Sequence, residues 1–324
     1  MPHVVLLRAL HPDAEARLRA EPGFTVETVH DTGRDNLVRA MAEAEAIIVR
    51  ATPINADFLS FSPKLALVAR HGVGYDQVDV AALSQRGIPL TVTADANALS
   101  VAEHALMLML NLARATKAFD ANTRDFKWST TDAPVTWDLS GMTVLVVGFG
   151  RIGARVARLC HAFGMDVLVC DPQVPMNTVK GAGFRYAKNI GEGLVQADWV
   201  TLHCPSTPEN RGMVDAGFLA TLKPGARLIN TARGTLVQEE ALAAALRSGQ
   251  VSAAGLDVFS DEPMTRDNPL LAAPNVVMTP HSAAGTVQGM RRMGMSAVGT
   301  IIGHFKGELD LDMVINKDVI RTNR

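Results

Sequence analysis

The run Gly148-Phe149-Gly150-Arg151-Ile152-Gly153 sets three glycines at the spacing that lets a backbone turn tightly, approach a phosphate and pack a helix closely on a strand. It follows the apolar stretch Thr143–Val147 and opens a helical stripe of Ile152, Val156, Cys160 and Phe163. A second β-rich run, Asp166–Cys170, ends at Asp171, 18 residues beyond Gly153. A carboxylate there accepts hydrogen bonds from adenosine ribose hydroxyls and repels a 2′-phosphate. Pro172, Gln173 and Val174 supply no compensating cation. The pattern predicts an NAD site rather than an NADP site. The plain alternative is a glycine turn beside a surface Asp, which the strand-turn-helix context disfavours. No Lys-Ser or Lys-Thr follows the glycines, so a P-loop does not fit.

Three later segments carry chemically useful side chains: Asn230-Thr-Ala-Arg233-Gly234, Leu256-Asp257 running on to Glu262-Pro263, and Thr279-Pro280-His281-Ser282. Each alone has an ordinary explanation, as a turn cation, a loop acid or a structural histidine. Each also stands just past the end of an expected parallel strand, and ligands of doubly wound sheets bind in that crevice.

The elements that must position these residues form two β/α series. In the first, β-rich runs at Val4–Leu7, Phe24–Val29, Ile47–Val49, Leu65–Ala69 and Leu90–Thr93 alternate with helical stretches at Asp13–Ala20, Asp35–Ala44 and Val78–Arg86. A further short helix falls around Asn55–Leu59. A helix apolar almost all round spans Leu99–Phe119, an irregular connector Asp120–Ser140, and the second series Thr143–Thr279, before a last helix at Thr286–Lys306. Alternation of this kind predicts parallel sheets covered on both faces.

With 324 residues, two domains are expected. Apolar residues at 48% support real cores, and 31 basic against 33 acidic residues give a net charge of −2, without the basic runs that nucleic acid or an anionic membrane would need. Cys160, Cys170 and Cys204 lie in or at the end of apolar runs, as reduced buried thiols do. No leader or membrane span is evident. The composition reads as that of a soluble cytoplasmic protein without a metal cluster.

In order along the chain, Arg70-His-Gly-Val-Gly74-Tyr-Asp76, Asn97-Ala-Leu-Ser-Val-Ala-Glu103-His104, the glycine fingerprint, His203-Cys204-Pro205 with Thr207 and Arg211-Gly212, and the Arg233, Glu262 and His281 segments resemble the D-isomer-specific 2-hydroxyacid dehydrogenases. The resemblance covers Ile47 to Lys317. It implies an α/β fold in which a Rossmann-type doubly wound NAD domain (99–285) is inserted into a smaller flavodoxin-like substrate domain (1–98 and 286–324). It also implies an active site in the cleft and a homodimer formed through the inserted domain.

The same resemblance implies a catalytic set. His281 exchanges a proton with the hydroxyl, Glu262 orients and charges the imidazole, and Arg233 forks to the substrate carboxylate and carbonyl. Around NAD it implies Gly148, Phe149, Gly150, Arg151, Ile152, Gly153, Asp171, His203, Cys204, Pro205, Thr207, Thr231, Ala232, Asp257 and His281. The substrate is expected on Arg50, Arg70, the amides of Val73 and Gly74, and Arg233. Arg50 and Arg70 match positions where the branch acting on 3-phosphoglycerate places cations for a distal phosphate, although both are equally readable as strand-end arginines. Hydroxypyruvate/glyoxylate reduction, oxidation of another anionic 2-hydroxy acid, and an NAD(H)-sensing corepressor-like role remain alternatives. Glu262 disfavours formate oxidation, a branch that resembles Gln at this position. His71 departs from the small residue usual in its turn, Gln77 from Asn and Gln238 from an acid.

Overall fold

The computed structural model describes residues 1–128 and 133–321, in two compact units: Met1–Asn97 with Gly285–Arg324, and Ala98–Ala284. The first unit is built on a parallel sheet ordered β2-β1-β3-β4-β5, with β1 His3–Leu7, β2 Thr25–Val29, β3 Ala46–Val49, β4 Leu67–Arg70 and β5 Leu90–Thr91. Its strands read as unbroken apolar runs because both faces are covered. Val5, Leu7, Ile47 and Val49 pack one core with Leu37, Met41 and Phe58, and Val4, Leu6, Ala46 and Ile48 pack another with Leu18, Val298 and Ile301.

The second core explains why the chain's last segment returns to the first unit. The helix Val287–Lys306 buries Met293, Ala297, Val298, Ile301 and Ile302, a stripe at helical spacing, while Thr286 caps its start through Gly289 N at 2.9 Å. Beyond it, Ile315 N donates to Leu90 O, and Asn316 accepts from Leu90 N.

The second unit holds a seven-stranded parallel sheet ordered β12-β11-β10-β9-β6-β7-β8. Its strands are β6 Thr143–Val147, β7 Asp166–Cys170, β8 Arg185–Tyr186, β9 Trp199–Leu202, β10 Ala226–Asn230, β11 Val251–Leu256 and β12 Val276–Met278. Leu145 and Val147 face one core, Val144 and Val146 the other. The switch between β6 and β9 leaves the crevice where the glycine run begins.

Three expectations need correction. The helix expected over Leu99–Phe119 runs only from Ala98 to Ala113; Ala115 takes a left-handed φ of +46°, and a separate helix covers Thr116–Arg124. The start of the expected irregular connector is therefore helical, and residues 129–132 lie outside the described residues. Within the single chain, the helix Ala98–Ala113 is buried on one side. Ala102, Ala105, Leu108 and Met109 are buried, whereas Leu99 is 46% exposed and Met107 and Leu110 are half-buried. Strand β4 also starts two residues later than expected and ends on Arg70 rather than before it.

Candidate active site

The glycine run folds as its spacing requires. Gly148 follows β6 with φ +94°, and a Cβ there would stand 2.7 Å from Cys204 N. A Cβ on Gly153 would fall 1.9 Å from Gly148 O, so only glycine lets the helix Gly153–Ala162 start this close to the strand. At Gly150, by contrast, a Cβ would meet nothing within 4 Å. The backbone N–H groups of Gly150, Arg151 and Ile152 find no acceptor among the described residues. Three unpaired donors at a helix start form an anion cradle, which is what a pyrophosphate needs.

Asp171 is fixed beside this turn. Its carboxylate accepts from Phe149 N at 2.7 Å and Gln173 N at 2.8 Å, one bond on each oxygen, leaving lone pairs for a diol. His203 N donates to Val147 O, and its Nε2 lies 2.8 Å from Thr201 Oγ1. Its Nδ1 is buried without a partner among the described residues, and burial pushes the imidazole down to about 3, so it is neutral. Burial pushes the neighbouring Cys204 thiol up to about 11, which leaves it unreactive. Pro205 O and Thr207 N are tied to Asn210 at 2.8 and 2.7 Å. The buried Thr231 Oγ1 has no partner among the described residues. Orphaned polar atoms beside an open donor cradle fit a bound dinucleotide.

The end of the sheet formed by β10, β11 and β12 assembles the acid-base group. His281 Nδ1 and Glu262 Oε2 are 2.6 Å apart, and Glu262 Oε1 accepts from Phe259 N at 3.1 Å. The hydrogen bond to Glu262 holds the His281 pKa above its ordinary value, against burial. Burial works to raise the Glu262 pKa, but the hydrogen bonds from His281 and Phe259 outweigh it and the pKa is lowered. His281 has a left-handed φ of +50°, uncommon for any residue but glycine and tolerable here because the backbone is tied down. Its N–H donates to Asp257 O at 2.8 Å. Arg233 follows β10 in extended conformation, with Nη1 2.6 Å from Ala232 O, and its charge acts on both Glu262 and His281.

Several residues hold this arrangement in ways the sequence does not show. Asn230, fully buried, accepts from Ala232 N and donates to Arg233 O, closing the turn that presents the arginine. A Cβ on Gly234 would collide with the Phe259 backbone at 1.9 Å, so this glycine lets the Arg233 turn touch the loop bearing Glu262. Glu239 accepts from Ser260 N and Asn268 Nδ2, pinning that loop from below. Asp257, 1% exposed, accepts from Thr279 Oγ1 at 2.6 Å, Ser282 N at 2.8 Å and Ala283 N at 3.0 Å. His104 Nε2 approaches Thr279 Oγ1 at 2.9 Å, and burial lowers its pKa. Asn230, Gly234, Asp257 and His104 stand in motifs quoted above, whereas Glu239 carries no such signal.

Arg50, Arg70, Val73 and Gly74 belong to the first unit. Arg70, expected to be a substrate cation or a strand-end arginine, donates to Gly74 O at 2.8 Å, His71 O at 2.6 Å and Val49 O at 3.4 Å, so its guanidinium shapes its own turn. The N–H groups of Val73 and Gly74 have no acceptor among the described residues, as an anion cradle requires. His71 is buried, and burial followed by the charges of Arg50 and Arg70 pushes its pKa down to about 4. It packs in the turn as a neutral ring.

The family model described as "D-isomer specific 2-hydroxyacid dehydrogenase, NAD binding domain" matches residues 106–283. The chain belongs to the D-isomer-specific 2-hydroxyacid dehydrogenases. It is 40% identical over 315 residues to a D-3-phosphoglycerate dehydrogenase of Mycobacterium tuberculosis, covering 97% of this chain and 59% of that protein. A Korarchaeum cryptofilum glyoxylate reductase is 35% identical over 88% of this chain and 86% of its own. A Thermus thermophilus protein of known crystal structure superposes with a TM-score of 0.85 at 34% identity, over 95% of this chain and 98% of its own. The chain thus spans about three fifths of the length of the phosphoglycerate dehydrogenase it matches. NAD is the cofactor of the matched domain, which contains the open cradle and Asp171.

Proposed function

We propose that this protein is an NAD-dependent D-2-hydroxyacid dehydrogenase, with Arg233, Glu262 and His281 as its catalytic residues. The observation that carries this reading is the 2.6 Å contact of His281 Nδ1 with Glu262. With Nδ1–H donated to the carboxylate, Nε2 is the ring nitrogen left to take or return the hydroxyl proton. NAD, when bound, accepts or supplies the hydride. Gly150, Arg151 and Ile152 hold its pyrophosphate, Asp171 its ribose, and Asp257 with Thr231 and Ala232 its nicotinamide end. Arg233 binds the substrate carboxylate and polarises the carbonyl, and the free amides of Val73 and Gly74 in the first unit are suited to an anionic substrate group. The partly exposed Leu99, Met107 and Leu110 support the homodimer expected from the sequence, which light scattering tests. The deciding experiment is turnover of a panel of 2-keto acids with NADH and with NADPH, followed by absorbance. Oxidation of NADH in preference to NADPH is expected. Silence across the panel with NADH bound would favour a sensing role instead.

The Glu262 bond makes a signed prediction. Glu262→Gln removes the charge that favours imidazolium, so the His281 pKa falls. Keto-acid reduction uses the protonated ring, so in the variant its rate declines at a lower pH as pH rises. Oxidation uses the neutral ring and extends to lower pH. An unmoved or upward-moving reduction profile would separate the two residues.

Arg50 supports 3-phosphohydroxypyruvate as the substrate to try first. Its guanidinium is half-buried, and among the described residues its side-chain hydrogen-bond contact is Met290 Sδ at 3.8 Å, not a carboxylate. A charge-assisted bond to a distal phosphate contributes about 1.5–3 kcal/mol. Arg50→Ala should therefore lower the preference for the phosphorylated acid over glyoxylate by roughly 10- to 100-fold in kcat/KM. An unchanged ratio would make Arg50 structural.

A further inference from the structure

One titratable side chain close to the acid-base group has no part in the chemistry above. His104 stands on the helix Ala98–Ala113 with its side chain largely buried. Gly255 lies on β11 two residues before Asp257, and a Cβ there would come within 3.0 Å of Leu108 Cβ. Residues two apart on a strand share a side, and residues four apart on a helix share a face. The bare glycine therefore lets the helix settle on the strand at Leu108, and His104, one turn earlier, meets Asp257.

The hydrogen bonds of this cluster have one direction. Asp257 Oδ1 accepts from Ser282 N at 2.8 Å and lies 2.6 Å from Thr279 Oγ1. A carboxylate oxygen carries no hydrogen, so the hydroxyl donates to it. With its hydrogen committed, Thr279 Oγ1 accepts from His104 Nε2 at 2.9 Å, which puts the ring hydrogen on Nε2. His104 Nε2 also stands 3.5 Å from Asp257 Oδ1. Burial lowers the His104 pKa although the Asp257 charge opposes it, so the ring is neutral near neutral pH. Beyond Asp257, its carboxylate holds Ser282 N and Ala283 N, and its backbone O holds His281 N. These bonds keep His281 at φ +50° and facing Glu262.

We propose that His104 is a positioning residue of the dehydrogenase reaction: its Nε2–H turns the Thr279 hydroxyl onto Asp257, and Asp257 so held sets the backbone that aims His281 at Glu262. This rests on the assignment of His281 above as the acid-base residue. The ordinary alternative is a polar side chain that only packs the helix on the sheet. Such a side chain would contribute stability and leave the His281–Glu262 bond untouched.

Glutamine and asparagine separate the two. The Gln amide nitrogen reaches about as far as His Nε2 and that of Asn only about as far as Nδ1, so His104→Gln retains the donor to Thr279 and His104→Asn withdraws it. His104→Asn should lower kcat for keto-acid reduction by about five- to tenfold, the contribution of one hydrogen bond, with KM nearly unchanged. The falling limb of its reduction profile should move to lower pH, because a loosened His281 loses part of its bond to Glu262. Glu262, Asp257 and Arg233, the charged groups that act on His281, are unaltered in this variant. His104→Gln should restore both the rate and the profile. Thr279→Val cuts the same link, so adding His104→Asn to it should cost no further rate. If His104→Asn does not fold, Thr279→Val carries the test, with Thr279→Ser as its rescue.

Wild-type kcat and pH profile in His104→Asn, equal losses in the Asn and Gln variants, or losses that multiply in the double variant would overturn the proposal. The His281 pKa is also read without turnover, by NMR titration of ring protons assigned through their absence in His281→Asn. A ring pKa that does not move in His104→Asn would overturn the proposal as well. A fall in His104→Asn that His104→Gln reverses, in a protein inactive on every keto acid, would uphold the link from His104 to His281 and sink the dehydrogenase reading instead.

Discussion

His281→Asn is expected to lower turnover by roughly 10²–10⁴ in both directions while NADH binding, followed by fluorescence, stays near wild type. The range is that of a positioned acid-base group. Asparagine is the informative replacement, because His281 sits at φ +50° and Asn is among the side chains that tolerate that region. The Asp257 O contact is a backbone bond and survives the change. What is lost is the ring nitrogen opposite Glu262. Near-normal turnover would move the proton transfer elsewhere. His104 would then be the next candidate, although it is engaged with Thr279 and burial lowers its pKa.

Asp257→Ala should be costly in both stability and rate. The carboxylate is buried and receives the Thr279 hydroxyl and the Ser282 and Ala283 amides, which form the loop that follows β12 and carries His281. Removing it strands three donors, at about 1–3 kcal/mol for each that stays buried without a partner. Partial relaxation brings the total to about 3–5 kcal/mol. With the loop released, His281 leaves its left-handed backbone angle and its bond to Glu262, and kcat should fall by about 10² or more. Asp257→Asn should be milder. Its amide nitrogen must face either Ala283 N or the Thr279–Ser282 pair, so at least one donor meets another donor. Denaturant unfolding and steady-state rates on the same variants test this. An Asp257→Ala protein as stable as wild type would show that Asp257 does not hold the loop.

The sequence alone carried the features whose physics is local. Strand and helix alternation follows from apolar periodicity, and nearly every expected element has a counterpart within a few residues. The glycine spacing and the ribose carboxylate at Asp171 are legible because turn, strand and helix are neighbours in the chain. The residue types at Arg233, Glu262 and His281 were legible as strand-end chemistry, and the ordered motifs supplied the family. What only the tertiary structure decided depends on pairings between distant segments. That Arg70 bonds its own turn and Val49 O follows from the register of β3 and β4. That Asp257 gathers the Thr279, Ser282 and Ala283 donors follows from β11 lying beside β12. The helix break at Ala115 carries no Gly or Pro to announce it. Alanine favours the helix locally, and only the packing of Ala98–Ala113 on the second sheet fixes where the helix must stop.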